Sequence, residues 1–353
     1  MPAFVHGLPF DHGFPFDPAY GRTLDELLTI AAPAPPDGFD TFWRDRYEAA
    51  LRVRTAPAVG PQEDERDGFR IFGVSFTSVG GLRLGGWLVL PSEGPVRHGF
   101  VIGHGYGGRQ EPGRDVPLPL PGGAAILPCA RGLGSRSRRP GIPGDADRHV
   151  LHGIESRDTY VIGDCVADLW CAASALLELV PELVTDPAPE RVTDPAPDLA
   201  SDLVPTGGAR LGYAGESFGG GLGALALAWD DRFACGRLTV PTFGNHPLRL
   251  TLPCAGSGEA VRAHRRDHPG VMDVLPYFDA ATAASRIRVP MLVAPALFDP
   301  SVPPPGQFAV YNALAGPREL HVLTAGHFDH AGSEREEREL RAADRRFFAE
   351  QLG

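Results

Sequence analysis

Arg210-Leu211-Gly212-Tyr213-Ala214-Gly215-Glu216-Ser217-Phe218-Gly219-Gly220 sets a short apolar run ahead of a serine held between glycines. Small residues then continue from Gly220 to Trp229 as a helix-forming stretch. A strand that turns at once into a helix strains the residue at the corner, and its neighbours must be small because backbone crosses backbone there. The turn lifts the serine hydroxyl out at a helix N-terminus, where free amides and the helix dipole favour a developing negative charge. Ser217 is therefore the candidate nucleophile.

Outward from this turn, short apolar runs bounded by glycine recur at Gly99 to Gly103, Ala124 to Cys129, Leu238 to Val240, Pro290 to Ala296 and Leu320 to Leu323. Runs of this kind with helices between them predict buried parallel strands of a βαβ sheet. Ile162, Val166, Leu169, Ala173, Leu176 and Val180 repeat at helical spacing, and Gln307 to Leu314 predicts a further helix. A last helix is expected from Ser333, with Ser333 and Glu336 as a capping box and Phe347 and Phe348 holding its end to the core. Towards the N-terminus, Ile71 to Ser78 and Leu82 to Leu90 flank Gly80-Gly81 as a hairpin, and Asp40 is expected to cap a helix running to Val53. Residues 1–60 read as an N-terminal extension packing on a domain of residues 61–353. The repeat Val184-Thr185-Asp186-Pro187-Ala188-Pro189 and Val192-Thr193-Asp194-Pro195-Ala196-Pro197 marks a proline-rich inserted loop within 181–207. Residues 250–277 lack clean periodicity and are a candidate cap.

A nucleophilic serine needs a base, and the base needs an orienting carboxylate. Asp299 follows the run Pro290 to Ala296, and His327 follows Leu320 to Leu323, so serine, aspartate and histidine come in the order, each after a strand, of the α/β-hydrolase fold. The fold expected is α/β, a mostly parallel central sheet flanked by helices, with the N-terminal extension and a small cap or insertion. His330 is the rival base, expected to face solvent; Asp230 and Asp231 are expected to end a helix in water. His104-Gly105-Tyr106-Gly107-Gly108 follows a strand as the loop supplying a second oxyanion amide does, which makes the N–H groups of Tyr106 and Phe218 the candidate oxyanion hole and leaves the His104 imidazole a structural role. His149, His152, His246, His264 and His268 show no metal-ligand spacing, so no metal and no cofactor is expected.

The composition, 43% hydrophobic and 22% charged, is that of a chain able to build its core without disulfides. Lysine is absent, so all 33 basic residues are arginine against 44 acidic ones, and the net charge of −11 disfavours nucleic acid and anionic membrane as partners. The arginine-rich segment Arg131 to Arg139, broken by Gly, Ser and Pro, is expected to be a solvated loop. An odd count of five cysteines with no C-x-x-C pair suits free thiols in a reducing cytoplasm, and neither a signal peptide nor a membrane span is evident.

At these residues the chain resembles the acetyl xylan esterase and cephalosporin-C deacetylase family, carbohydrate esterase family seven. The likeness runs through Phe39-Asp40-Thr41-Phe42-Trp43, Val74-Ser75-Phe76-Thr77-Ser78, His104-Gly105-Tyr106, Arg131-Gly132, Gly153-Ile154, Asp158-Thr159-Tyr160, Tyr277-Phe278-Asp279, Pro303-Pro304 and Tyr311-Asn312-Ala313-Leu314. It departs from the family at Leu133 and Phe218, where glutamine is usual, and at Phe328, where glutamate is usual. The resemblance implies hydrolysis of small acyl esters, acetylated sugars among them, and a homo-oligomer, the ring-like hexamer being typical of the family. A general carboxylesterase, a peptidase or lactonase on the same fold, and a non-catalytic scaffold are the alternatives.

Overall fold

The computed structural model describes residues 3–5, 8–184 and 211–353 of the chain. The strands are β1 (Ala3–Val5), β2 (Leu8–Phe10), β3 (Ala58–Arg66), β4 (Phe69–Thr77), β5 (Arg83–Pro91), β6 (His98–Gly103), β7 (Gly123–Pro128), β8 (Leu211–Glu216), β9 (Phe233–Thr239), β10 (Met291–Ala294), β11 (Ala296–Phe298), β12 (Arg318–Leu320) and β13 (Leu323–Ala325). The helices are α1 (Leu24–Leu27), α2 (Phe39–Leu51), α3 (Ala146–His149), α4 (Val161–Leu179), α5 (Phe218–Leu227), α6 (His246–Arg249), α7 (Ser257–Asp267), α8 (Ala280–Ala284), α9 (Pro304–Ala313) and α10 (Ser333–Leu352).

Nine strands form the central sheet in the order β12-β10-β9-β8-β6-β7-β5-β4-β3. From β12 to β7 every pairing is parallel, and β5, β4 and β3 add on antiparallel. This is the predicted α/β arrangement, with the hairpin where Gly80-Gly81 put it. Both faces are covered, which is why β6, β8 and β10 are buried along nearly their whole length rather than alternating. Helices α4 and α5 cover one face, packing Trp170, Leu176 and Leu225 against Val101 and Tyr213. Phe347 and Phe348 of α10 cover the other with Phe100, Ala214 and Leu292. Helix α2 lies against α4, with Trp43 Nε1 donating to the carbonyl of Tyr277 at 2.8 Å.

Three local expectations are corrected. Helix α2 starts one residue before Asp40, on a Gly38 cap at φ 72°, and Asp40 instead pairs with Arg286 at 2.9 Å. Ser333 does not cap α10: its hydroxyl accepts from the His330 amide, while Glu336 accepts from Thr324 N and so cannot close the box. The segment Arg131 to Arg139 is built into the protein rather than solvated. Arg131 is buried in a fork with Asp168 at 2.6 and 2.9 Å and reaches Asp164 at 2.5 Å; Arg136 pairs with Glu63 at 2.6 Å and lies over the Trp87 ring. Of the four arginines there, only Arg138 is exposed. Counter-charges far away in the chain supplied the burial that local glycine and proline content argued against. Residues 250–277, without visible periodicity, contain α7 and two 3₁₀ turns, Pro269–Asp273 and Leu275–Phe278. The proline-rich repeats lie outside the described residues.

Candidate active site

Strand β8 delivers Ser217 to the turn before α5 at φ 54° and ψ −112°, in the left-handed region that costs a non-glycine residue on the order of 1–3 kcal/mol. The surroundings hold it there. Ser217 N donates to Thr239 O at 2.9 Å, Gly219 N to His104 O at 2.9 Å, and the buried Tyr213 hydroxyl to Gly219 O at 2.6 Å. The two motif glycines answer to this crowding: a Cβ on Gly215 would lie 2.5 Å from the Gly219 carbonyl oxygen, and one on Gly219 would lie 2.8 Å from the Gly103 carbonyl carbon.

Strands β11 and β13 pair in parallel, Phe298 opposite Ala325, so Asp299 and His327 leave adjacent strand ends together. His327 Nδ1 lies 2.9 Å from Asp299 Oδ2, and its Nε2 lies 2.9 Å from Ser217 Oγ. Asp299 is fully buried and its carboxylate accepts from four donors: His327, Gln307 Nε2 at 2.9 Å, and the amides of Ser301 and Val302 at 2.8 and 2.9 Å. With both aspartate oxygens acting as acceptors, Nδ1 must carry the proton and Nε2 must present a lone pair to the serine hydroxyl. Burial alone would lower the His327 pKa, but the charge and hydrogen bond of Asp299, with Glu216 beyond, outweigh it and raise the pKa above 6.5. Glu216 in turn pairs with Arg114 at 2.5 Å.

The His104-Gly105-Tyr106 loop passes beside Ser217, close enough that a Cβ on Gly105 would sit 3.9 Å from Ser217 Cβ. Among the described residues no acceptor engages the amide of Tyr106 or of Phe218. The Tyr106 and Phe218 rings stack at 4.1 Å. The His104 imidazole donates from Nδ1 to Gly105 O and accepts at Nε2 from Ala130 N, and burial holds its pKa down to about 4, so it serves as a neutral brace between loops.

Two rivals sit differently from their sequence reading. His330 turns inward rather than to solvent, against Phe10, bonding Glu336 at 3.3 Å and accepting from Gly332 N. Asp230 is buried, forked to Arg232 and accepting from the Tyr47 hydroxyl, while Asp231 is exposed. Gln307, which bridges Asp299 to Val302 O and Ala296 N, had no sequence signal beyond being a polar residue among apolar ones in α9.

A family model described as acetyl xylan esterase (AXE1) matches residues 22–184 and 198–344. The chain belongs to the acetyl xylan esterase family. It is a serine hydrolase acting on esters. The fold accords: the acetyl xylan esterase of Paenibacillus sp. R4 superposes with a TM-score of 0.72 at 23% identity, covering 91% of this chain and 99% of that one. Acetyl xylan esterase 1 from Thermoanaerobacterium sp. JW/SL YS485 gives 0.71 at 19% identity, covering 93% and 99%. The Pyrococcus horikoshii acylaminoacyl peptidase gives 0.57 at 16% identity over 82% of this chain and 42% of that one.

Within this esterase the three departures from the family's usual residues are apolar and packed. Leu133 is buried; Phe218 is buried between Tyr106 and Phe243; Phe328 joins Phe10, Phe14 and Phe298 in an aromatic group beside the His327 loop. No helix among the described residues is long and apolar enough to cross a membrane.

Proposed function

We propose that Ser217, His327 and Asp299 carry out the ester hydrolysis of this family member, with acetyl as the transferred acyl group. What supports the reading is the unbroken relay of two 2.9 Å contacts from Ser217 Oγ through His327 to a carboxylate that is fully buried. Ser217 Oγ attacks the ester carbonyl while His327 Nε2 takes its proton. The amides of Tyr106 and Phe218 donate to the oxygen that becomes negative in the tetrahedral intermediate. Collapse expels the alcohol, which takes the proton from His327, and leaves acetyl-Ser217. Water, deprotonated by the same imidazole, then attacks the acetyl carbonyl, releasing acetate and restoring the serine hydroxyl.

An acetylated sugar is the alcohol part the family suggests. Leu133, Phe218 and Phe328 remove side-chain polarity the family usually keeps, which bears on the preference for an acetylated sugar more than on the hydrolase chemistry. A homo-oligomer, with a hexamer as the family's typical form, and a cytoplasmic setting complete the proposal; the five buried free thiols agree with the latter.

The test is hydrolysis of a nitrophenyl ester series, acetyl through octanoyl, by wild type and Ser217→Ala. Turnover that peaks at acetyl and disappears in the variant supports the reading. A peak at longer chains makes the protein a general carboxylesterase, and the absence of Ser217-dependent turnover overturns the assignment of the nucleophile.

A further inference from the structure

Three arginines are buried among the described residues: Arg109, Arg131 and Arg249. Arg109 pairs with Asp115 at 2.5 Å, and Arg131 with Asp164 and Asp168. Arg249, 4% exposed at the end of α6, pairs with no carboxylate among the described residues, and its Nε has no hydrogen-bond partner. Its one hydrogen bond among the described residues runs from NH1 to His246 Nδ1 at 3.5 Å. His246 Nε2 meets the carbonyl of Phe278 at 3.2 Å and must donate there, so Nδ1 offers a lone pair and the ring is neutral, its pKa held down to about 3 by burial and by the guanidinium. A neutral imidazole does not balance a buried guanidinium, whose desolvation costs several kcal/mol.

The neighbouring phenols leave the same imbalance. Tyr160 is 1% exposed and its hydroxyl has no partner among the described residues; burial raises its pKa, so it stays protonated and keeps its donor. The Tyr106 hydroxyl lies 3.3 Å from His149 Nδ1, and His149 Nε2 must donate to Arg131 O at 2.9 Å, which leaves Nδ1 as the acceptor for Tyr106. The cluster thus carries a guanidinium with no counter-charge and a hydroxyl with no acceptor among the described residues. Contacts join the cluster to the candidate active site and to each other: the Phe218 ring lies 6.1 Å from that of Phe243, Phe243 lies 6.2 Å from His246, and His246 meets Arg249. Tyr160 packs at 4.8 Å on Phe278, whose carbonyl takes the His246 hydrogen bond. Arg249 also acts electrostatically on Tyr160 and Tyr106, and on Tyr20 and Cys254. The segment around Cys254 is tied to the Asp299 loop, Tyr20 OH donating to Pro253 O at 2.7 Å and Ala255 N to Pro300 O at 2.6 Å.

We propose that Arg249 and Tyr160 form a subsite for a carboxylate carried by the ester substrate, the guanidinium supplying the charge and the tyrosine hydroxyl a second donor. The inference rests on Ser217 being the nucleophile, since it is the position of the subsite relative to Ser217 that makes the ligand a substrate. A carboxylate can arrive on either side of the scissile ester, and matched pairs separate the two sources. On the alcohol side the pair is 4-acetoxybenzoate and its methyl ester; on the acyl side it is nitrophenyl hemisuccinate and nitrophenyl methyl succinate.

The expected result is a kcat/KM for the acid over its methyl ester on the order of 10- to 100-fold in one of the two pairs, the size of a charge-assisted contact. The pair that shows it identifies the source. That ratio is expected to fall towards one in Arg249→Met, to fall partly in Tyr160→Phe, and to survive in part in Arg249→Lys. Equal turnover of acid and methyl ester in both pairs, or a preference that Arg249→Met leaves intact, overturns the proposal. Should Arg249→Met fail to fold, wild type decides: competitive inhibition of nitrophenyl acetate hydrolysis by benzoate or succinate is expected, and its absence overturns the subsite. Should nitrophenyl acetate turnover prove independent of Ser217, calorimetric titration of wild type with the same two anions replaces the kinetic readout. Binding that weakens in Tyr160→Phe and in Arg249→Lys sustains the subsite; no binding, or binding that both variants leave unchanged, overturns it.

Discussion

Replacing Asp299 by asparagine changes one oxygen to an amide nitrogen, and the surroundings dictate where that nitrogen goes. Oδ1 accepts from the fixed backbone amides of Ser301 and Val302, so an NH2 placed there would face two donors. Oδ2 accepts from His327 and from Gln307 Nε2. Gln307 cannot turn over to help, because its Oε1 accepts from Ala296 N at 2.8 Å and its Nε2 donates to Val302 O at 2.6 Å. The asparagine NH2 therefore faces His327, which must present a lone pair at Nδ1 and carry its proton on Nε2. In that tautomer Nε2 cannot accept the Ser217 proton. The expected cost is about 10⁴-fold in kcat, the size reported for a wrong-tautomer imidazole in a serine protease triad, equivalent to about 5.5 kcal/mol of barrier. The assay is steady-state hydrolysis of nitrophenyl acetate by purified Asp299→Asn beside wild type, with circular dichroism to establish that the variant is folded. A folded variant keeping more than about a tenth of the wild-type kcat would refute the tautomer reasoning and with it the role given to Asp299.

Four further outcomes follow from the structure. His327 must be neutral to act as base, and its pKa is raised; kcat/KM should therefore rise with pH through an apparent value above 6.5 and fall as pH drops below it. Glu216→Gln removes a group that raises His327 and should move that limb to lower pH, while Arg114→Gln removes one that lowers it and should move the limb to higher pH. Phe218→Gln restores the residue usual in the family but breaks a stack with Tyr106 in a buried aromatic group; urea unfolding should show a loss of about 2–4 kcal/mol, with Ser217-dependent turnover retained because the oxyanion donor is backbone. Arg131→Met leaves Asp168 buried against only the Ser78 hydroxyl, and a loss of about 3–5 kcal/mol in the same measurement is expected; a loss under 1 kcal/mol would mean the pair is balanced by its own desolvation.

How much of this was legible before folding differs by residue. Glycine spacing around Ser217 and the apolar runs ahead of Asp299 and His327 are local patterns, because a buried parallel strand and a tight strand-to-helix turn each impose their composition on consecutive residues. They determined the fold class, and they single out in chain order the serine, aspartate and histidine proposed as the triad. The sequence was misleading where a distant charge decides burial. Arg131 and the arginine-rich segment read as solvated because Arg is rarely buried unpaired, and Asp164, Asp168 and Glu63 become partners only when α4, β3 and the loops meet; Asp230 has Arg232 two residues on, but the Tyr47 hydroxyl of α2 and the Trp170 carbonyl of α4 reach that pair only in the folded chain. Capping also misled at Ser333, since Glu336 found Thr324 N across the β13–α10 junction instead of the helix terminus.

Tertiary structure alone decided the rest. Gln307 belongs beside Asp299 because α9 folds back onto β11, and no spacing in the chain records that. The unbalanced donors of Arg249 and Tyr160 are likewise invisible in a sequence, where any arginine has 44 acidic residues to choose among. Burial and distance remove that choice. A pattern of residue types fixes which backbone conformation each segment can afford; which side chains face each other without water between them is set only when the segments pack, and the strength of every charge and hydrogen bond in the site follows from that.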